Sequence, residues 1–178
     1  PESHRRQRQM CIRDSNRSKA SGNYSHAEGV YATSSGDYSH AEGIYTVAAG
    51  QYSHAEGYGS LASGNASHSE GLFTTASGEY ARSIGQLTNA SGDYSFAHGY
   101  DTIAQGTYSH AEGFQTKTTH FYAHTEGYRT TGSASWSHAE GNQTKTAGNY
   151  SHAEGDHTLA EGVSSHAEGY FTTASANY

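Results

Sequence analysis

The sequence predicts an all-β solenoid of fourteen-residue coils with two short strands in each coil, and three observations predict it. Glycine recurs at Gly29, Gly43, Gly57, Gly71, Gly85, Gly99, Gly113, Gly127, Gly141, Gly155 and Gly169, eleven times at intervals of fourteen without an insertion. Half a period away a second glycine column runs from Gly22 and Gly36 to Gly162, interrupted at His120 and Ala134 and ending at Ala176. Leu, Ile, Val and Phe together supply only 16 of 178 residues, about 9%, too few for a conventional core. A strict period without insertions marks units that stack and bury their surface only against their neighbours.

The amino-terminal stretch is set apart from the repeat. Residues 1–18 hold the only Cys, Met and Pro and five of the seven arginines. The string Arg8 to Ser15 resembles the translated end of a transposase-type sequencing adapter. Residues 1–18 are therefore read as a non-native or disordered segment, and 19–178 as one roll of about eleven repeats. From Ala20 onward four basic residues face fifteen acidic ones, a net charge of −11. That balance excludes the basic footprint of a nucleic-acid binder. No apolar run approaches the roughly 20 residues of a membrane-spanning helix, so no membrane insertion is expected within this segment.

Each unit reads approximately G-x-x-T-x-A-S-G-x-Y-S-H-A-E. Fourteen residues hold two strands of about five, with glycine at the corners where a positive φ is needed. Coils stacked at the strand spacing of about 4.8 Å give a rod roughly 50 Å long, with a parallel sheet on each side. Alternation along a strand then sorts the side chains. One strand turns inward its threonine column (Thr46, Thr74, Thr88 and onward) and the small residue two further on, such as Ala48. The other turns in Ser25, Ser39, Ser53 and Ala27, Ala41, Ala55 with their equivalents. The opposite phase would enclose nine histidines and nine glutamates in a thin coil, at several kcal/mol per buried ion.

Tyrosine, histidine and glutamate are thereby directed outward in three columns. Tyr24, Tyr38, Tyr52, Tyr94, Tyr108 and Trp136 are the candidate surface-binding residues, in a column that Tyr80, Tyr122, Tyr150 and Tyr178 share. Two coils depart from the pattern, with Arg82 and Ile84 and then Phe96 and His98, and divide the His and Glu columns into blocks of four and five. The H-x-E spacing puts an imidazole and a carboxylate on one face. His26, Glu28, His40, Glu42, His54, Glu56, His110 and Glu112 are thus candidate ligands for a divalent metal, if neighbouring rungs or chains complete the set. The plainer reading of the same columns is a charge lattice in which each Glu favours ionisation of the histidines near pH 6.

These glycine-punctuated units with S-x-A-x-G strands, from Ala20 to Tyr178, resemble the head repeats of trimeric autotransporter adhesins of the YadA type. The S-H-A-E-G variant is also similar to repeats of phage tail and other surface fibres. The resemblance implies a left-handed parallel β-roll, three chains side by side, and display outside a cell or on a virion surface. It implies a homotrimer, with a host-surface or matrix protein or a polysaccharide as partner. In that family the usual strand is closer to S-V-A-I-G, its two apolar side chains directed at the trimer contact. Here those places belong to His26, Glu28 and their repeats. The resemblance thus leaves a polar axis, or a contact moved to Val30, Ile44, Tyr58, Leu72, Tyr100, Phe114, Tyr128 and Tyr170.

Catalysis is not expected. Adjacent Ser and His in S-H point to opposite faces of a strand, and identical repeated residues lack the convergent constellation of an active site. No cofactor is expected either. An ice-binding role would need a flat outward threonine array, whereas the outward position reads Thr33, Val47, Leu61, Thr75, Asn89, Ile103, Lys117. The expected function is structural and adhesive: multivalent display on a stiff rod.

Overall fold

A computed structural model describes residues 17–178. The reading of residues 1–18 falls almost wholly on 1–16, which lie outside the described residues. Among the described residues the chain is all-β. Five-residue strands, from His26–Val30 to His166–Tyr170, form an eleven-stranded parallel sheet. Two-residue strands, from Lys19–Ala20 to Thr173–Ala174, form a twelve-stranded one. Both run in strict chain order, each strand pairing with its equivalent fourteen residues away, as His26 with His40 and Thr33 with Val47. The fourteen-residue solenoid is therefore present.

The two sides are unequal, where the sequence predicted two strands of about five residues each. One side keeps five paired residues and the other only two. Of the four residues between Tyr31 and Gly36, only Thr33 and Ser34 pair along the ladder before the chain turns again. The turns themselves are bonded from coil to coil. The Tyr38 N–H donates to the Asn23 carbonyl at 2.8 Å, and that of Tyr45 to Val30 at 2.9 Å. Backbone pairing continues around nearly the whole circumference, and this supplies the order that so little apolar surface leaves wanting.

Glycine serves a different purpose from the one its spacing suggested. The left-handed corners belong to side-chain-bearing residues, Tyr24 (φ 55°), Tyr31 (58°), Tyr38 (58°), Tyr45 (57°) and their equivalents, except at Gly59 (66°). Such backbone costs of order 1 kcal/mol or more per residue unless its surroundings enforce it. Here the coil-to-coil bonds do so. The Gly22 column has no positive φ. It is glycine because the next coil passes against it: a methyl built on Gly50 would lie 1.9 Å from the Gly64 carbonyl oxygen. Only the Gly29 column combines both demands, with φ 118° and a Cβ position 2.0 Å from the Gly43 oxygen.

The inward assignment holds along the rod. Ala41, Ala48, Ala55, Ala62, Ala76, Ala90 and their equivalents are fully buried, as are Thr46, Thr74, Thr88, Thr102 and Thr116. The alanine core lies in separate clusters, one spanning Ala27 to Ala62 and another Ala76 to Ala111. A third resumes at Ala153. In the coils between, Thr118, Thr125 and Thr146 take alanine places in the interior. Serine hydroxyls brace the corners, as where Ser39 Oγ donates to the Gly36 carbonyl at 2.6 Å. Histidine and glutamate stay outside the winding, as the cost of burying them requires.

Candidate functional site

The five-residue strand starts at histidine, so the columns do not share one flat face. His and Glu stand on the strand, while Tyr belongs to the corner before it. The left-handed conformation of that corner holds each ring in register with the next. Tyr24, Tyr38 and Tyr52 stack with centroids 5.0 and 5.1 Å apart. A second stack runs Tyr80, Tyr94, Tyr108, Tyr122, Trp136, Tyr150 with centroid spacings of 4.9 to 5.6 Å. All six sequence-predicted surface residues lie in these stacks and are about half exposed or more. Inside each stack the ring faces are covered by their neighbours, so the column offers ring edges there, while the rings that end a stack keep one face bare.

The other corner carries an aromatic column that the sequence reading left out. That reading named the apolar residues directly after the glycine, as at Val30 and Ile44. The next position, left-handed in the same way, presents Tyr31, Tyr45, Phe73, Leu87 and Phe171 to solvent. Tyr31 and Tyr45 stack at 5.1 Å, and Tyr58 meets Phe73 edge-on at 5.3 Å. The signal was an apolar residue two after the glycine in several units. Between Leu87 and Phe171 the column is polar: Gln115 donates to Asp101 at 3.2 Å, and Arg129 Nε donates to Gln115 at 2.9 Å.

On the long sheet, histidine and glutamate pair within a coil. Nε2 to carboxylate distances are 3.4 Å for His26 and Glu28, 3.3 Å for His68 and Glu70, and 3.5 Å for His110 and Glu112. For His40 and Glu42 the gap widens to 4.0 Å. The imidazoles also stack from coil to coil, His40 on His54 at 4.8 Å and His110 on His124 at 4.7 Å. Of the candidate metal ligands, His26 with Glu28, His40 with Glu42 and His110 with Glu112 are thus brought together as pairs, while His54 Nε2 has no hydrogen-bond partner among the described residues. Among the described residues no group of three or more His, Cys, Asp or Glu is gathered as a metal ion would need.

The two irregular coils were expected to divide the columns. They interrupt the imidazole stack between His68 and His110, and other contacts fill part of the gap: the Arg82 guanidinium lies 5.8 Å from the Phe96 ring centre, and Phe96 packs on His110 at 4.9 Å. His98 turns its Nδ1 to Glu112 at 3.8 Å, which restores an imidazole–carboxylate contact one coil along.

With this geometry the chain compares as follows. The family model described as YadA head domain repeat (2 copies) matches residues 27–53, 55–81 and 76–102. The coils between residues 27 and 102 are similar to YadA head repeats. None of the curated proteins matches the chain. The matched YadA-like coils include the Arg82 coil and the Phe96 coil, and the structure continues the same register to Tyr170.

At four histidines of the long sheet the neighbouring glutamates do not raise basicity overall. Burial holds the pKa of His40 below its ordinary value, and the neighbouring His54 and His26 lower it further; Glu42 and Glu28 oppose this without reversing it. His124, His138 and His152 are lowered the same way, by burial first and an adjoining histidine second. The expectation that Glu favours ionisation near pH 6 is overturned at these four rungs. Stacking places each imidazole against another imidazole, and that partial burial outweighs a carboxylate in water.

Proposed function

We propose that the chain is a rigid segment of an extracellular surface fibre of a cell or virion, assembled from three copies side by side. Its role is to carry a repeated contact surface outward and to bind weakly at many points. The observation that carries this reading is the match of successive coils to an adhesin head repeat. Residues 19–178 act in it as one unit, and nothing in it calls for catalysis. The long stacked column repeats the same ring edges and hydroxyls from Tyr80 to Tyr122, which suits avidity. Ring edges favour a protein surface or matrix protein over the faces of a polysaccharide. Exposed apolar residues at the other corner, including Ile44, Tyr58 and Phe114, support a contact between copies there, because contiguous apolar patches mark interfaces.

The test is a mass measurement in solution together with binding to immobilised matrix proteins and cells. Three chain masses and binding that strengthens steeply with surface density are expected. A monomer that binds no surface at any density would overturn the reading.

A further inference from the structure

The tyrosine column has two internal gaps, at Ala66 and Ser164, and the walls of the first carry a chemistry of their own. Ala66 occupies the place of a ring between Tyr52 and Tyr80. Its backbone has the same left-handed conformation as the tyrosine positions, φ 51° against 58° and 54° for its neighbours. The two facing rings are therefore separated by two coil rises of about 4.8 Å, a slot one rung deep. Their outer faces are covered, Tyr52 by Tyr38 at 5.1 Å and Tyr80 by Tyr94 at 4.9 Å. Their inner faces are bare. Accordingly Tyr52 is 58% exposed and Tyr80 56%, against 48% for Tyr94 and 49% for Tyr108 inside the stack.

The adjoining column supplies a charge. Asn65 precedes the gap and donates through Nδ2 to Glu79 Oε1 at 3.2 Å, so a carboxylate is held beside the slot next to Tyr80. Asn65 Oδ1 in turn accepts from the Gln51 N–H at 3.4 Å, which ties the asparagine to the coil below. The break at Ser164, between Tyr150 and Tyr178, is different: there the adjoining residues are Asn149, Val163 and Asn177, with no carboxylate.

We propose that the Ala66 slot binds an arginine guanidinium of a basic partner segment, sandwiched between Tyr52 and Tyr80 and balanced by Glu79. A guanidinium is planar, as thin as the missing ring, weakly hydrated and drawn to aromatic faces. Midway in the slot it lies about 5 Å from each ring, inside the roughly 6 Å reach of a cation–π contact. The chain already uses this pairing on its ladders, with Arg129 5.1 Å from the Tyr128 ring centre and Arg82 5.8 Å from Phe96. The strongly acidic body attracts a basic segment in the first place.

The biological use of the slot rests on reading the tyrosine column as a contact surface; the slot's existence does not, and the experiment keeps the two apart. The intact protein is titrated with N-acetyl-arginine amide, N-acetyl-lysine amide and 4-methylphenol while tyrosine ring resonances are followed by NMR. Arginine should shift Tyr52 and Tyr80 selectively and saturate at a several-fold lower concentration than lysine. The effect should vanish in Ala66→Tyr, which supplies the missing rung, and weaken several-fold in Glu79→Gln. Tyr80→Ala, which removes one wall, gives the same loss without filling the gap. Shifts spread evenly over all tyrosines, or surviving Ala66→Tyr, overturn the proposal. Tighter binding of 4-methylphenol than of arginine overturns it in favour of an aromatic occupant. A rod that binds no cell or matrix surface yet shows the selective shifts would sink the adhesive reading and leave the slot standing.

Discussion

Thr125 and Gly132 exchange volume across the interior of one coil. A methyl built on Gly132 would lie 3.1 Å from Thr125 Cγ2, in a coil where threonine replaces the alanine of most other units and glycine replaces the alanine opposite. Gly132→Ala should therefore destabilise by about 1 kcal/mol, overpacking outweighing the gain from a stiffer unfolded chain. Adding Thr125→Ala recreates the alanine pair of coils farther along the rod, such as Ala97 with Ala104, and should recover that loss. Chemical unfolding of the two single variants and the double measures the coupling, and additive effects would show that the two sites do not share space.

Much of this architecture was legible in the sequence because a single period repeats eleven times and each copy must satisfy the same backbone ladder. Coil length, the inward threonine, serine and alanine columns and the outward His and Glu followed from alternation and burial cost. The conformation at the corners did not. Tyr31 and Tyr38 are left-handed while Gly36 is not, and this inverts the ordinary residue preference. Sequence pattern reports that glycine is required at a place, whereas contact with the next coil tells why. The coupling of histidine charge was also beyond reach, because it depends on how far one imidazole slides over another.

The steric reading of the second glycine column has a direct consequence at Gly50. Its Cβ would sit 1.9 Å from the Gly64 oxygen and 2.5 Å from the Gly64 carbonyl carbon, backbone atoms of a turn in which that oxygen accepts from the Ser67 N–H at 3.3 Å. Gly50→Ala should cost at least about 3 kcal/mol or prevent folding, although its φ is one any residue adopts. Ala66→Tyr, a much larger change at a left-handed position, should be tolerated because a tyrosine occupies that place in most coils. Circular dichroism melts of the two variants, compared directly, check this. A mild effect at Gly50 would mean that successive coils can move apart there.

The threonine column contains hydroxyls whose partners depend on the residue five places before. Thr88 Oγ1 meets Ser83 Oγ at 2.7 Å, and Thr74 meets Ser69 at 2.8 Å. Thr102 faces Ala97 instead, and its buried hydroxyl has no partner within the chain. A buried unpaired hydroxyl costs roughly 1–3 kcal/mol, so Thr102→Val, of nearly the same shape, should stabilise by about 1 kcal/mol. Thr88→Val should do the reverse, since it strands the Ser83 hydroxyl. Opposite shifts in melting temperature are the expected result. Equal shifts would mean that the two hydroxyls have equivalent surroundings.

The depressed histidines set a pH dependence whose sign follows from linkage. His40, His124, His138 and His152 bind protons less readily when folded than in the unfolded chain, where the pKa is about 6.5. Above that value both states are neutral at these positions and their contribution is complete. As the pH falls through it, the unfolded chain takes up protons first, so stability declines until the folded-state values are passed. The melting temperature should be level from about pH 8 to 7 and fall toward pH 5, with protons taken up on unfolding in the lower range. In His124→Gln the decline should be shallower, because that variant removes one depressed group and relieves its neighbour His138, for which His124 is the second cause of the shift. Stability that rose on acidification through this range would instead indicate that the glutamates dominate and that the imidazoles are charged in the native rod.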